Sequence, residues 1–204
     1  MAAFAVAGAV ALSIRFLDRP LARAFAPLGF SPAAADGTPI ELPLMIAVAG
    51  IAVAAGALYL RSRQTAPKSV EAGMLAGIAL LASVCLVEFL FKPMFCRAVP
   101  MQYLWDHVYG FHWLQWCDGS FPSGHADQAA AILTVAWVYY PRWRWLYLLA
   151  MAGLAFALMA GEWHFLSDVI AGGFVGAFSA WLVMRFAKAA RARQATGARD
   201  TQAF

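Results

Sequence analysis

The sequence predicts an all-α membrane protein, a polytopic helix bundle with about six transmembrane helices. Of its 204 residues, 63% are hydrophobic and only 13% are charged, whereas soluble domains carry roughly a quarter charged residues. The apolar residues form runs that approach the ~20 residues a helix needs to cross a bilayer. Basic residues stand at the ends of these runs, where they indicate topology. We therefore expect membrane lipids as partners and no nucleic acid.

The length allows one membrane-embedded domain, which we place over residues 1–187, followed by a basic tail over residues 188–204. Residues 1–39 would hold a short first span and then a short helix lying in the membrane interface. Residues 40–187 would form the core. The N-terminal run lacks a charged start and a cleavage site, so we do not expect a cleaved signal peptide. The alanine-rich tail is expected to be frayed or disordered.

Five further spans follow the N-terminal part, and a Thr-Pro-Ile-Glu capping box opens the first of them. Arginines and lysines follow the first, third and fifth of these spans, which predicts that those ends and the C-terminus are cytoplasmic. The end of the second span and the starts of the third and fifth then share the opposite face. The spans are expected at about residues 38–60, 70–91, 123–140, 145–158 and 165–186.

The stretch Pro122-Ser123-Gly124-His125 begins the third of these spans and has the properties of an anion site. Gly124 lets the backbone approach a ligand closely, and Ser123 can cap the helix. The first N–H groups of the helix and its dipole favour negative charge. His125 would be a titratable proton donor beside the bound anion.

A second histidine, His164, precedes Asp168 by one helical turn at the start of the last span. The pair fits phosphoryl transfer, in which His164 attacks phosphorus and Asp168 hydrogen-bonds its other ring nitrogen. His125 would protonate the leaving oxygen and then activate water. A single histidine at a membrane interface more often has no chemistry, but two on one face with these neighbours favour a site.

Charged and polar groups at the same face would hold the phosphoryl oxygens, namely Lys92, Arg97, the Ser123 hydroxyl and the Gly124 backbone. We expect no metal and no cofactor, because these cations already supply the counter-charge. Glu88 lies one turn before Lys92, and two interpretations stay open: a simple salt bridge, or a role in substrate binding.

The long polar segment over residues 93–122 contains many aromatic side chains, which fit a belt at the headgroup level. Cys96 and Cys117 flank it and would either form a disulfide in an oxidising periplasm or remain free thiols. Its other candidate metal ligands have irregular spacing, which disfavours a metal site. They are Asp106, His107, His112 and Asp118.

These motifs resemble those of the type 2 phosphatidic acid phosphatase superfamily of integral-membrane lipid phosphatases. That family is identified by Lys-x6-Arg-Pro, Pro-Ser-Gly-His and Ser-Arg-x5-His-x3-Asp. The second motif is intact here, the third keeps its histidine and aspartate, and the first keeps Lys92 and Pro100. The resemblance covers residues 40–187 and implies a six-helix bundle and a phosphohistidine intermediate.

Three positions depart from the family pattern. Val99 stands where the first motif has arginine, and Ala157 and Leu158 stand where the third has Ser-Arg, so two arginines are missing. Arg97 would replace one of them. Each lost charge-assisted contact to a phosphomonoester costs roughly 1.5–3 kcal/mol, and a less charged diester would lose less. The transferase branch, which includes sphingomyelin synthases, lacks those arginines and places a glutamate near the histidines, as Glu88 would be.

The sequence therefore predicts a membrane enzyme that hydrolyses a lipid-linked phosphate or pyrophosphate through His164, at the periplasmic face of a bacterial inner membrane. A phospholipid, a polyprenyl pyrophosphate or a lipid A phosphate would each fit as substrate. A lipid head-group phosphotransferase is the alternative, and a degenerate lipid-binding member without activity is a third interpretation. A channel or transporter is disfavoured, because the sequence lacks repeats and broken spans.

Overall fold

The computed structural model describes residues 1–28, 50, 51, 53, 54, 56, 57, 67–115, 117 and 119–202, with side chains described as far as Arg193. Within these residues all regular elements are helical, apart from one isolated bridge between Arg97 and Phe111. This confirms the predicted all-α class. The α-helices are α1 (Ala2–Leu12), α2 (Asp18–Phe25), α3 (Lys68–Leu86), α4 (Lys92–Phe95), α5 (Pro100–Trp105), α6 (Gly124–Tyr139), α7 (Arg144–Ala160) and α8 (Leu166–Gln202).

Three of the described helical segments are long and apolar enough to cross a membrane, and each coincides with a predicted span. Helix α6 fills the position of a fourth predicted span, with 16 residues. A π-helical stretch, Val87–Phe91, joins α3 to α4 without a break. The three membrane-crossing segments are Lys68–Phe95, Pro141–Ala160 and Leu166–Arg193.

Parts of the sequence interpretation fall on residues outside the described ranges. They include the loop before the second span, the capping box at residues 38–41, the basic residues at 61 and 63, and Asp118. Of the span predicted over residues 38–60, the described residues 50, 51, 53, 54, 56 and 57 are all helical.

The N-terminal segment is one continuous helical run, because the π-helical stretch Ser13–Leu17 links α1 to α2. Residues Asp18–Phe25, for which an interfacial helix was expected, are helical. Helix α2 packs against α5, α7 and α8, and its first residue, Asp18, is only 1% exposed. An acidic side chain therefore points into the bundle, which the sequence interpretation did not anticipate.

Helices α3, α6 and α8 pack against one another and form the centre of the bundle. Two glycines of α8 allow a very close backbone approach: a Cβ at Gly172 would lie 2.2 Å from the Ser123 carbonyl oxygen, and one at Gly176 would lie 2.0 Å from that of Asp127. The two glycines thus give α8 a small face for close helix packing. Small side chains such as Ala79, Ala131 and Ala180 continue the contact along the core.

Helix α8 runs parallel to α6 and antiparallel to α3. Ser123 at the start of α6 contacts Asp168 at the start of α8, and Glu88 beyond the end of α3 approaches Gly124. At the other end, Glu71 contacts Tyr139 and Arg191. The bundle thus has two distinct ends, about 26 Å apart for the 17 residues from Glu71 to Glu88 at 1.5 Å per residue.

The prediction of a frayed or disordered tail after residue 187 was wrong, because α8 continues to Gln202. Alanine, arginine and glutamine have high helix propensity, and they dominate this part of the sequence. The helix therefore continues past the end of the apolar segment.

Candidate active site

His164 lies in the turn between α7 and α8, and its ring is held by a backbone group. The Nδ1 atom lies 2.9 Å from the carbonyl oxygen of Ser120. A carbonyl oxygen can only accept a hydrogen bond, so Nδ1 carries the proton. The tautomer is thereby fixed, and Nε2 keeps its lone pair for nucleophilic attack.

Asp168 does not make the direct hydrogen bond to His164 that the sequence predicted. Its Oδ2 atom is 3.9 Å from Nδ1, which is an ion-pair distance rather than a hydrogen-bond distance. The same oxygen accepts a 2.8 Å hydrogen bond from the backbone N–H of Phe165. Asp168 therefore places negative charge beside the ring, while Ser120 sets the ring's orientation. Nothing in the sequence marked Ser120, because every residue has a carbonyl.

The environment of His164 strongly favours its neutral form. Burial lowers the pKa of His164 from 6.5 to about 3, and the nearby His125, Lys92 and Arg97 also lower it. The hydrogen bond to Ser120 acts in the opposite direction. The imidazole is therefore uncharged at neutral pH, as a nucleophile must be.

The structure brings the two predicted histidines together. The ring of His125, in the first turn of α6, has its centroid 5.9 Å from that of His164. The His125 ring also stacks on Trp163, with a centroid distance of 5.9 Å and an interplanar angle of 22°. The sequence did not single out Trp163, although it directly precedes His164. One aromatic side chain of the loop that carries His164 therefore orients the His125 ring.

The start of α6 has the expected cap. The Ser123 hydroxyl accepts a hydrogen bond of 3.3 Å from the N–H of Ala126, and the Ser123 N–H donates to the carbonyl of Asp168. The next residue lies close to Glu88, because a Cβ at Gly124 would be 2.9 Å from Glu88 Oε1 and would require that flexible side chain to shift. The Gly124 N–H has no carbonyl partner within the helix, since it belongs to the first turn.

Glu88 and Lys92 form the salt bridge that the sequence interpretation left open, with Lys92 Nζ 2.9 Å from Glu88 Oε2. Both side chains are mostly buried, with 18% and 14% of their surfaces exposed. Because Glu88 also lies against Gly124, the salt bridge sits at the edge of the α6 cap. A cation is therefore present beside the two histidines.

Arg97 is placed differently from the sequence expectation. Its Nη1 donates to Asp168 Oδ1 at 2.5 Å and to Ser167 Oγ at 2.7 Å, and its Nη2 donates to Asp18 Oδ2 at 2.7 Å. Burial opposes the charged form, but the two carboxylates outweigh it and raise the pKa of Arg97. The guanidinium is thus bound by Asp168 and Asp18. This geometry therefore does not support Arg97 as a replacement for a missing phosphate-binding arginine.

Asp18 completes this buried network. Besides Arg97, it accepts hydrogen bonds from Ser13 Oγ at 2.8 Å, Ser167 N–H at 3.1 Å and Ser167 Oγ at 2.5 Å. A buried ion pair is costly unless its remaining polar atoms are bonded, and Asp18 meets that condition. The N-terminal segment therefore supports the aspartate beside His164 through Arg97 and Ser167, and the sequence interpretation missed this.

Val99 and Leu158, which stand where the family motifs have arginine, have structural roles that involve no charged group. Val99 precedes α5 and donates its N–H to Gln102 Oε1 at 3.2 Å. Leu158 is 2% exposed and packs against Ala126 and Val169 under the start of α6. Neither position provides a cation.

Cys96 and Cys117 form a disulfide, so the predicted pairing is confirmed and the two cysteines are not free thiols. The bond closes the loop whose ends carry Arg97 and Ser120. The Ser120 N–H donates to the Arg97 carbonyl at 3.0 Å, and a Cβ at Gly119 would lie 2.7 Å from the Arg97 nitrogen. The disulfide thus sits next to the two residues that hold Asp168 and His164.

At one end of the membrane helix bundle the site thus combines two facing histidines, a capped helix start and a buried aspartate. The sequence model of the PAP2 superfamily matches residues 72–192, more than half of the chain, and the protein belongs to this superfamily. Family membership supports phosphatase activity on a lipid and an integral-membrane location.

Comparison with solved structures finds a crystal structure described as the first transmembrane PAP2 type phosphatidylglycerolphosphate phosphatase from Bacillus subtilis. The alignment covers 91% of this chain and 92% of that chain, with 18% sequence identity and a TM-score of 0.43. No curated protein matches the sequence.

Proposed function

We propose that the protein is a lipid phosphatase that hydrolyses a lipid-linked phosphate or pyrophosphate through a phosphohistidine on His164. The hydrogen bond from His164 Nδ1 to the Ser120 carbonyl carries the proposal, because it leaves Nε2 as a nucleophile in a buried site next to His125. Membership in the PAP2 superfamily supports the same reaction class.

In the first step, His164 Nε2 attacks phosphorus and the bond to the lipid oxygen breaks, while His125 donates a proton to that oxygen. In the second step, the neutral His125 takes a proton from water. The hydroxyl oxygen then attacks phosphorus and the N–P bond breaks. Phosphate leaves, and both histidines return to their starting states.

Charge around the ring would assist both steps. The imidazole becomes cationic when Nε2 bonds to phosphorus, and Asp168 lies 3.9 Å from Nδ1 to stabilise that charge. Lys92, the Ser123 hydroxyl and the Gly124 N–H would hold the phosphoryl oxygens. Glu88 would orient Lys92 through their 2.9 Å salt bridge.

The active end of the bundle is proposed to face the periplasm of a bacterial inner membrane, with the C-terminus cytoplasmic. The Cys96–Cys117 disulfide at this end supports that orientation, because disulfides persist in oxidising compartments and are rare in the cytosol. The basic residues at the opposite end, among them Arg142 and Arg144, support it through the positive-inside rule.

A head-group phosphotransferase is the second candidate, and the placement of Arg97 favours it. With Arg97 bound to Asp18 and Asp168, and with Val99 and Leu158 apolar, the clamp for a phosphomonoester dianion is weak. A phosphodiester carries less charge and needs less compensation. A lipid hydroxyl would then replace water in the second step.

Purified protein incubated with phosphatidic acid, a polyprenyl pyrophosphate or phosphatidylcholine tests these candidates by their products. Free phosphate indicates hydrolysis, and a new lipid indicates head-group transfer. The variant His164→Ala should lose at least about 1,000-fold in turnover. His112→Ala removes an exposed histidine of the preceding loop, and this variant should keep the turnover of the wild type.

The covalent intermediate provides a second readout. Rapid quenching with labelled lipid should give acid-labile, base-stable label on His164, as phosphate for hydrolysis or as phosphate with its head group for transfer. Full turnover by His164→Ala would refute the nucleophile. If the protein binds these lipids but forms no product from them, the result would favour a lipid-binding protein without enzymatic activity.

A further inference from the structure

A cavity of about 410 Å³ opens at the end of the bundle opposite the histidines, between α3, α6 and α8. Its volume lies within the range of ~300–1,000 Å³ that is usual for sites of small molecules. None of the residues discussed for catalysis lines it. It therefore needs an explanation of its own.

Three cationic side chains, Lys68, Lys188 and Arg191, line this cavity together with one carboxylate, Glu71. Arg191 Nη2 lies 2.7 Å from Glu71 Oε1, and the Tyr139 hydroxyl also donates to Glu71. Glu71 thus holds Arg191 in position and compensates one of the positive charges.

The two lysines have no carboxylate partner among the side chains the structure describes. Lys68 Nζ lies 5.4 Å from the centroid of the Tyr140 ring, and Lys188 is exposed on α8. Among the described residues, the lining of the cavity consequently has an excess of two positive charges, three cations against one carboxylate. Such a lining attracts an anion.

The remaining lining is apolar, with Leu75, Val138 and Met184 on the three helices. These side chains belong to helices that form the membrane bundle. A ligand that satisfies both parts of the cavity has an anionic head and a hydrocarbon chain. Free phosphate would satisfy the cations alone.

The distance between the cavity and the catalytic end excludes a shared site. Glu71 and Glu88 lie at the two ends of the same helical segment, about 26 Å apart over 17 residues. This is close to the ~30 Å thickness of the hydrocarbon core of a bilayer. The cavity therefore opens at the level of the opposite leaflet.

We propose that this cavity binds the headgroup of an anionic phospholipid in the leaflet opposite the active site. Basic pockets between transmembrane helices are suited to such headgroups. The bound lipid would bridge α3 and α8 through Lys68, Lys188 and Arg191. The inference does not depend on the chemistry of His164.

Thermal unfolding of the full chain in detergent tests the proposal, with phosphatidylglycerol, phosphatidylcholine or inorganic phosphate added. Phosphatidylglycerol should raise the unfolding temperature in a saturable manner, and the other two should not. The double variant Lys68→Gln/Lys188→Gln should weaken the apparent affinity for phosphatidylglycerol by roughly 30-fold, with each single variant weakening it by roughly fivefold.

The matched control is Arg142→Gln/Arg144→Gln, which removes two cations at the same end of the bundle but outside the cavity lining. This variant should keep the affinity for phosphatidylglycerol. Equal stabilisation by phosphatidylcholine or by inorganic phosphate would overturn the proposal. So would an unchanged affinity in the lysine variants, or an equal loss in the arginine control.

Discussion

Asp18 accepts a 2.7 Å hydrogen bond from Arg97, although 79 residues separate the two in the sequence. Both side chains are fully buried. The same guanidinium binds Asp168, which lies beside the proposed nucleophile. The N-terminal helical segment is therefore part of the support of the site and not only a membrane anchor.

Replacing Asp18 by alanine should destabilise the protein and reduce turnover. The change leaves Arg97 buried with one of its two carboxylates missing, and breaking a buried ion pair costs about 3–5 kcal/mol. Denaturation in mild detergent measures the loss, and turnover at saturating lipid measures the effect on Asp168. Asp106→Ala removes an exposed carboxylate and should change neither. Equal stability of the two variants would contradict the role given to Asp18.

Replacing Gly176 by alanine should force α6 and α8 apart. The new Cβ would lie 2.0 Å from the Asp127 carbonyl oxygen, and overpacking of this kind costs about 1–3 kcal/mol. The separation should also reduce turnover, because the two histidines are carried by these helix starts. Gly153→Ala provides the matched control, since nothing lies within 4 Å of a Cβ there. A Gly176 variant as stable and active as the control would show that the contact is unimportant.

Stability should fall in acid because of His164. Its pKa is lowered from 6.5 to about 3 in the folded protein, so between these values the unfolded chain binds a proton that the folded chain excludes. The unfolding free energy then decreases as pH falls below about 6.5, by up to about 1.4 kcal/mol per pH unit, and above that value His164 contributes no slope.

This pH dependence is measurable by denaturation at about pH 7 and about pH 5, compared between the wild type and His164→Gln. The variant should lose less stability in acid than the wild type. His107→Gln changes an exposed loop histidine and should behave like the wild type. Identical acid sensitivity of the wild type and His164→Gln would rule out a suppressed pKa.

Removing the disulfide should lower both stability and activity. Cys96 and Cys117 are 21 residues apart, and closing a loop of that size contributes about 3 kcal/mol. The double serine variant should therefore unfold at lower denaturant concentration. It should also turn over more slowly, because the Ser120 carbonyl that orients His164 lies next to the bond.

The control for this prediction is Cys85→Ser, which changes an exposed thiol outside the disulfide. It should match the wild type in both measurements. If the oxidised wild type and the double serine variant were equally stable, the disulfide would make no contribution to the stability of the fold.

The sequence predicted the features that depend on local patterns. Apolar runs predicted the spans found at Lys68–Phe95, Pro141–Ala160 and Leu166–Arg193. Ser123 was predicted as a helix cap from its place before Gly124, and it is one. The approach of His125 to His164 followed from the topology, because both were assigned to helix starts on the same face.

The contacts that the sequence did not predict join distant parts of the chain or use backbone groups. Asp18 and Ser167 are 149 residues apart, and a lone acid in an amphipathic segment favours an exposed position. Ser120 acts through its carbonyl, which no residue type reveals. Arg97 was expected to bind a phosphate, because the sequence does not show that Asp18 and Asp168 lie next to it in the fold.

The close contact between α6 and α8 is made by backbone atoms, with Ser123 and Asp127 against Gly172 and Gly176. A further backbone hydrogen bond joins Ser123 to Asp168. His125 and His164, at the starts of these helices, are thus fixed to one tightly packed pair. We expect tilting of that pair in a thinner or thicker bilayer to move both histidines together, so that their spacing does not change with membrane thickness.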